Sequence, residues 1–296
     1  MNLIDGKRIA QDIKAELRSA VEEIKASKAK IPHLAAVLVG DDPASQAYVK
    51  NKVRSCEEVG FASTLIRRPA DIREEELLEI VEQLNNNSDV DGFIVQLPLP
   101  PHIQEHKITL AIRPEKDVDG FHPVNFGRMA QGLPCYLPAT PMGILEMLKR
   151  CNLPTAGKEV VVLGRSNIVG TPISILLSRK GYPGDATVTI CHSRTEGLAA
   201  HTRRADILIV AIGRAEMVTG DMVKPGAVVI DVGMNRVEDP NSPKGYRLTG
   251  DVHFDSVAPV SSWITPVPGG VGQLTVMSLL QNTLKASEKK VYINTI

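Results

Sequence analysis

Tyr48 and Lys52 stand four residues apart in Ser45-Gln-Ala-Tyr-Val-Lys-Asn-Lys52. On a helix that spacing puts a phenol and an ammonium on one face. Such a pair can hold a planar substrate and move a proton; an isolated pair of this kind is more often an exposed surface contact. Gln96 ends the apolar run Gly92-Phe-Ile-Val-Gln-Leu-Pro-Leu-Pro100. An amide there either ties down a neighbouring loop or faces a ligand. Asp119 lies in the acidic turn Lys116-Asp-Val-Asp-Gly120. Aspartate in such a turn often caps its own backbone, and otherwise it is free to accept N–H groups of a ligand. The most informative stretch is Pro268-Gly-Gly-Val-Gly-Gln-Leu-Thr-Val276, three glycines in four positions ahead of a helical pattern. Glycine permits close backbone approach and positive φ, and the start of a helix offers free N–H groups.

A second set of residues suits a nucleotide. Gly164-Arg-Ser-Asn-Ile-Val-Gly170 follows the apolar run Glu159–Leu163 and opens a helical pattern. Strand, glycine turn and helix form the arrangement that receives a pyrophosphate. The strict G-x-G-x-x-G is absent, because Ser166 replaces the middle glycine, and a plain turn is the competing reading. In NAD binders an acid follows the next strand. Here Cys191-His-Ser-Arg-Thr195 carries a hydroxyl and a cation instead. Arg165, Ser193 and Arg194 therefore suit the 2′-phosphate of NADP, with a solvated Arg194 as the bland alternative. Ala211-Ile-Gly-Arg-Ala215, which holds Gly213, and Asp231-Val-Gly-Met-Asn235 end two further strands, at the sheet edge where ligands bind.

Two motifs are set aside. The Tyr48–Lys52 spacing is also used by short-chain dehydrogenases, but those carry their glycine turn before the pair, and here it comes about 110 residues after it. His102-Ile-Gln-Glu-His106 matches a zinc-binding spacing. No third-ligand motif follows it, and Pro101 with the flanking charges reads as a solvated helix start, so no metal is expected.

The elements that must position these residues follow from periodicity. Ile9, Ile13, Leu17, Val21 and Ile24 predict a helix over Asp5–Lys28. His33–Gly40, Ala62–Arg67 and Gly92–Leu97 read as strands. Between them lie helices from Ser45, taken as the cap, to Val59 with Gly60 at its end, and from Glu74 to Leu84. Residues 113–140 lose the pattern and read as a long irregular connection. A helix over Pro141–Arg150 leads into a second series. Its strands are Glu159–Gly164, Thr187–Cys191, Asp206–Gly213 and Ala227–Gly233, and its helices Ile168–Lys180 and Gly197–Arg204. A last helix, from Gly272 to about Glu288, is expected to return to the first domain. Alternating strands and helices imply an α/β protein with parallel, doubly wound sheets. The expected domains are 1–140 plus 272–296, and 141–271.

Composition excludes several classes. Lys+Arg and Asp+Glu balance at 34 each, so no global basic field draws nucleic acid, and no basic amphipathic run suggests a membrane surface. No apolar run approaches transmembrane length, and the first residues lack the apolar core of a signal peptide. Cys56, Cys135, Cys151 and Cys191 are far apart and form no framework of pairs, which suits a reducing cytoplasm.

Taken together, Gly92–Pro100, Lys116–Gly120, Gly164–Pro172 and Pro268–Val276 resemble the methylenetetrahydrofolate dehydrogenase/cyclohydrolase family, and the likeness runs from Leu3 to Val276. Glu75, Asn85 and Asn87 also fall at its spacings. The one departure is Gln273-Leu274, where the family usually has proline then methionine or phenylalanine. The resemblance implies two doubly wound domains, the second Rossmann-like for NADP, with the active site in a cleft between them. It implies oxidation of methylenetetrahydrofolate to the methenyl cation, then hydrolysis to formyltetrahydrofolate. A monofunctional NADP dehydrogenase and a noncatalytic NADP- or folate-binding protein are the alternatives. By the same resemblance, Lys52 is the general base or proton shuttle, Gln96 orients it, Tyr48 positions the substrate and Asp119 accepts the pterin edge. Val95, Leu97, Pro268, Gly269 and Gly272 line the folate. Gly164, Arg165, Ser166, Ile168, Ser193, Arg194, Gly213, Met234 and Thr275 hold NADP. The family expectation for assembly is a homodimer.

Overall fold

The computed structural model describes residues 1–240, 242 and 245–292. The chain divides into two compact units, Gln11–Ala139 with Val276–Ile296, and Met1–Ala10 with Thr140–Thr275. It opens with a two-residue strand, β1 (Asn2–Leu3), and the helix α1 (Gly6–Ala26). Asp5 starts this helix by accepting the N–H of Arg8 at 3.1 Å. Ile9, Ile13, Leu17 and Val21 form its buried stripe.

The unit around Gln11–Ala139 contains β2 (His33–Val39), α2 (Pro43–Val59), β3 (Ala62–Arg68), α3 (Glu74–Asn86), β4 (Gly92–Val95), α4 (Glu105–Ala111) and α5 (Pro123–Gln131). The strands pair in parallel in the order β3-β2-β4, with Leu34 opposite Ser63 and Gly92. Strand β2 is central, and every residue after His33 is buried, which is why it reads as a continuous apolar run. Ala35, Val37, Leu77, Val81 and Phe93 pack into one core, where each large side chain contributes about 1.5–3 kcal/mol by burial. The cap of α2 is Asp42, not Ser45. Its carboxylate accepts the Ser45 N–H at 2.7 Å, and Pro43 occupies the first turn. Gly60 closes the helix at φ 84° as expected. The irregular connection holds a helix, α5, that the periodicity missed. His122 caps it by accepting the Val124 N–H at 3.0 Å, and Gly132 ends it at φ 75°.

The other unit contains α6 (Ala139–Arg150), β5 (Glu159–Leu163), α7 (Gly170–Ser178), β6 (Thr187–Cys191), α8 (Leu198–Thr202), β7 (Ile207–Val210) and β8 (Val228–Asp231). A hairpin, β9 (Asn235–Glu238) with β10 (Tyr246–Thr249), then α9 (Phe254–Val257) and β11 (Trp263–Ile264) follow. The strand order is β1-β11-β8-β7-β5-β6, with every pairing in this sheet parallel. Successive strands leave β5 first on one side and then on the other. That reversal creates a crevice beyond the carboxyl ends of β5 and β7. Residues 1–10, expected in the first domain, belong here instead. Asn2 pairs with Trp263, and a Cβ on Gly6 would lie 2.2 Å from the Gly270 carbonyl oxygen. The final helix, α10 (Gly272–Ser287), changes unit after Thr275. The expected domain end at 293–296 lies outside the described residues.

Candidate active site

Helix α2 and strand β4 bring the lysine and the amide together. Lys52 is 5% exposed, and its Nζ donates to Gln96 Oε1 at 3.2 Å. Gln96 follows β4 directly, and its N–H donates to the Val37 carbonyl at 2.9 Å. Its Nε2 donates to the Leu97 carbonyl at 2.7 Å, which turns Oε1 toward the lysine. Tyr48, one turn earlier on α2, is 39% exposed, with its ring centroid 5.1 Å from the ammonium. The arrangement is a proton-carrying group held by an amide beside an open aromatic face. Val95 and Leu97 pack on the core of the strand, so Val95 has mainly its backbone to offer a ligand.

Asp119 is partly exposed, and its carboxylate makes no hydrogen bond among the described residues. The turn-capping role falls to Asp117. That carboxylate is buried and accepts the N–H groups of Phe121 and His122 and the amide of Asn125, at 3.2, 2.8 and 2.9 Å. Burial raises the Asp117 carboxyl to about 7 against those donors. Burial also raises Asp119, while the Lys52 ammonium pulls it back down. Lys52 is thus linked to Gln96 by a hydrogen bond and to the Asp119 carboxylate by its charge. Asn282 of α10 steadies the turn, donating to the carbonyls of Val118 and Leu137 at 2.9 Å each.

The Pro268–Gly272 loop lies in the other unit. Gly269 has φ 110°, a conformation open to glycine. The N–H groups of Gln273 and Leu274 close back onto Gly270 and Val271 at 3.1 and 2.9 Å. Leu274 is fully buried, so the departure from the family residue keeps an apolar anchor at this point. Met234, 54% exposed, lies beside Gly272, and Thr275 pairs with the Thr140 hydroxyl at 3.2 Å.

A pocket of about 430 Å³ occupies the crevice beyond β5 and β7. Gly164, Arg165 and Ser193 line it. His192, Thr195, Leu198, Ile212, Arg214 and Met217 line it too and escaped the sequence reading. Arg214 was visible only as a cation within a strand-end segment. Among the described residues no carboxylate lines the pocket, whose polar side chains are two arginines, a histidine and two hydroxyls. That donor set fits a phosphorylated nucleotide. Gly164 has φ 125°, and a Cβ there would lie 2.2 Å from the Ala211 carbonyl oxygen. Only glycine lets these strand ends approach so closely. Ser166 spends its hydroxyl on its own turn, accepting from the N–H groups of Val169 and Gly170 at 3.2 and 3.4 Å. Ile168, Arg194 and Gly213 belong to the segments around the pocket and do not line it. His102 and Glu105 of the set-aside motif are taken up locally, by the Ile72 carbonyl at 2.9 Å and the Leu99 N–H at 3.0 Å.

A doubly wound sheet with a crevice lined by cations and hydroxyls, and a part-buried lysine–glutamine pair, define a nucleotide-dependent α/β enzyme. Comparison with known proteins gives the particular kind. Residues 4–119 match the tetrahydrofolate dehydrogenase/cyclohydrolase catalytic domain, and residues 138–291 the NAD(P)-binding domain of the same family. The bifunctional protein FolD of Bacteroides thetaiotaomicron is 58% identical over 292 residues, covering 99% of this chain and 100% of the relative. The crystal structure of FolD from Campylobacter jejuni is similar with a TM-score of 0.92 at 44% identity, over 98% of this chain and 99% of that one. FolD of Trypanosoma brucei, solved with NADP and an inhibitor, has a TM-score of 0.91 at 39% identity, over 98% of each chain. The chain belongs to the tetrahydrofolate dehydrogenase/cyclohydrolase family.

Proposed function

We propose that this chain oxidises methylenetetrahydrofolate to the methenyl cation and hydrolyses that cation to formyltetrahydrofolate, with Lys52, Gln96, Tyr48 and Asp119 as the working residues of the folate site. The part-buried Lys52–Gln96 bond, with Asp119 in electrostatic reach, carries the reading. NADP, when bound, supplies the oxidant by taking a hydride from the methylene bridge. Arg165 and Ser193 hold its 2′-phosphate, on the strength of a pocket lined by donors and, among the described residues, by no carboxylate. Tyr48 offers its open ring to the pterin. Asp119 accepts the N–H groups of the pterin edge. Lys52, in its neutral amine form, takes the proton released as water adds to the methenyl carbon and becomes the ammonium, and Gln96 aims it. Met234, Thr275 and the Pro268–Gly272 loop complete the binding surfaces. A homodimer in the cytoplasm is the expected working form, from the family resemblance and from four cysteines too scattered in sequence for a framework of pairs. The test is absorbance at two wavelengths with methylenetetrahydrofolate and NADP, separating reduced cofactor from methenyl compound. Reduced cofactor should form while the methenyl band stays low. A persistent methenyl band would leave the monofunctional dehydrogenase, and no reduced cofactor would leave a binding protein.

A further inference from the structure

Asp251 is fully buried and lies outside every motif considered above. Its Oδ2 accepts the N–H groups of Ile212 and Gly213 at 2.7 and 2.9 Å. Its Oδ1 accepts the N–H of Arg214 at 2.8 Å and the side-chain amide of Asn235 at 2.8 Å. Four donors on one carboxylate use its full accepting capacity. Three of them are consecutive backbone groups of the turn after β7, where Ile212 and Arg214 line the nucleotide pocket. Those amides are committed to Asp251 and are not available to a phosphate. The fourth donor follows Met234, so one carboxylate ties two loops of the nucleotide unit together.

The tie is itself anchored. The Asp251 N–H donates to Asp231 Oδ1 at 3.0 Å, and Asp231 also accepts from Gly233 and Val252 at 2.9 Å each. A Cβ on Gly233 would lie 2.3 Å from the Asp251 carboxyl carbon, and one on Gly250 would lie 1.7 Å from Asp231 Oδ2. There is no room for the carboxylate to move aside. None of the groups it holds belongs to the unit that carries Lys52 and Gln96.

We propose that Asp251 is a positioning residue for cofactor binding: it sets the Ile212–Arg214 turn and the Met234 loop, and the affinity for NADP depends on it while hydrolysis does not. This rests on the assignment of the crevice to NADP. Asp251→Asn keeps the size but turns N–H groups toward N–H groups. The KM for NADP should rise by about tenfold to a hundredfold, the effect of losing a charged hydrogen bond. Hydrolysis of the methenyl compound, assayed without NADP, should keep its kcat and KM within about twofold. Asn235→Ala removes one of the four bonds and should raise the KM for NADP several-fold, again sparing hydrolysis; it decides the matter if Asp251→Asn does not fold. An unchanged KM for NADP in either folded variant overturns the proposal, as does parallel loss of both activities. Arg165→Ala serves as the control. If it too leaves NADP binding unchanged, the assignment of the crevice is at fault; if it alone weakens binding, only the role of Asp251 falls.

Discussion

Replacing Lys52 by methionine separates the two halves of the reaction. Methionine keeps most of the apolar stem and removes the ammonium. The lost bond is the one to Gln96 Oε1 at 3.2 Å. A hydrogen bond to a charged group is worth about 1.5–3 kcal/mol. Against this, an ammonium that is only 5% exposed no longer has to be kept away from water. The two effects nearly cancel, and Gln96 is partly open, so water can take the place of the lysine. The melting temperature should therefore change by no more than a few degrees, about 1 kcal/mol. Catalysis should change far more. A positioned base contributes about 10²–10⁴-fold, equivalent to about 2.7–5.5 kcal/mol of barrier. Hydrolysis of preformed methenyltetrahydrofolate, followed by loss of its absorbance, should slow by that factor while NADP still binds. A second effect comes from Asp119. Lys52 is the group that lowers its carboxyl against the rise caused by burial. Without it the Asp119 carboxyl rises further, and folate affinity should fall at a higher pH than in the parent. Hydrolysis at the parental rate in a folded Lys52→Met protein would make Lys52 an ordinary helix lysine and refute the mechanism.

Three other outcomes are expected. Arg165→Ala should weaken NADP by about 1.5–3 kcal/mol and NAD by far less; equal losses in a binding titration would mean that no 2′-phosphate site exists there. Asp119→Asn should cost about 1–3 kcal/mol of folate affinity and reduce both activities, with NADP binding and melting temperature near the parent's; a collapse in thermal stability with folate affinity intact would make Asp119 a structural residue. Asp231 sits at about 7, raised chiefly by burial, so the folded protein binds a proton that the unfolded chain releases. Its contribution to stability is present below the ordinary carboxylate range and is lost as pH rises through 7, amounting to about 1.4 kcal/mol between pH 6 and 8. Asp231→Asn should flatten that part of the stability–pH curve by denaturant titration, whatever it does to absolute stability; an unchanged slope would show that Asp231 is ionised throughout.

The central strands were legible because burial on both faces leaves an unbroken apolar run, as in His33–Val39 and Val160–Leu163. The candidate Lys52–Gln96 pair was legible because a helical spacing and a strand end are local facts, and the two residues meet across adjacent elements. Four things were not legible. Helix α5 was hidden behind Pro123 and Gly127, which read as loop residues although proline suits a first turn. Asp117 and Asp119 share one turn, and only the hydrogen bonds reveal that Asp117 holds it while Asp119 is left open. Asp251 carries no local signal, because its partners lie 16 to 39 residues away in sequence. The two-residue strands β1 and β11 are too short for any periodicity and exist only through their pairing.

That pairing governs the order in which the molecule can be completed. Asn2 and Leu3 find their partners only at Trp263 and Ile264, some 260 residues later. The helix that begins at Gly6 must start against a glycine loop that does not yet exist when Gly6 leaves the ribosome. The sheet of the nucleotide unit therefore stays open at one side until nearly the whole chain has been made, and a contact of such sequence separation forms late. The chain crosses from one unit to the other three times, after residues 10, 139 and 275. No single cut can release either unit whole. The enzyme is indivisible in its covalent order although its two cores are distinct, and the β1 edge of the nucleotide-unit sheet waits on Trp263 and Ile264.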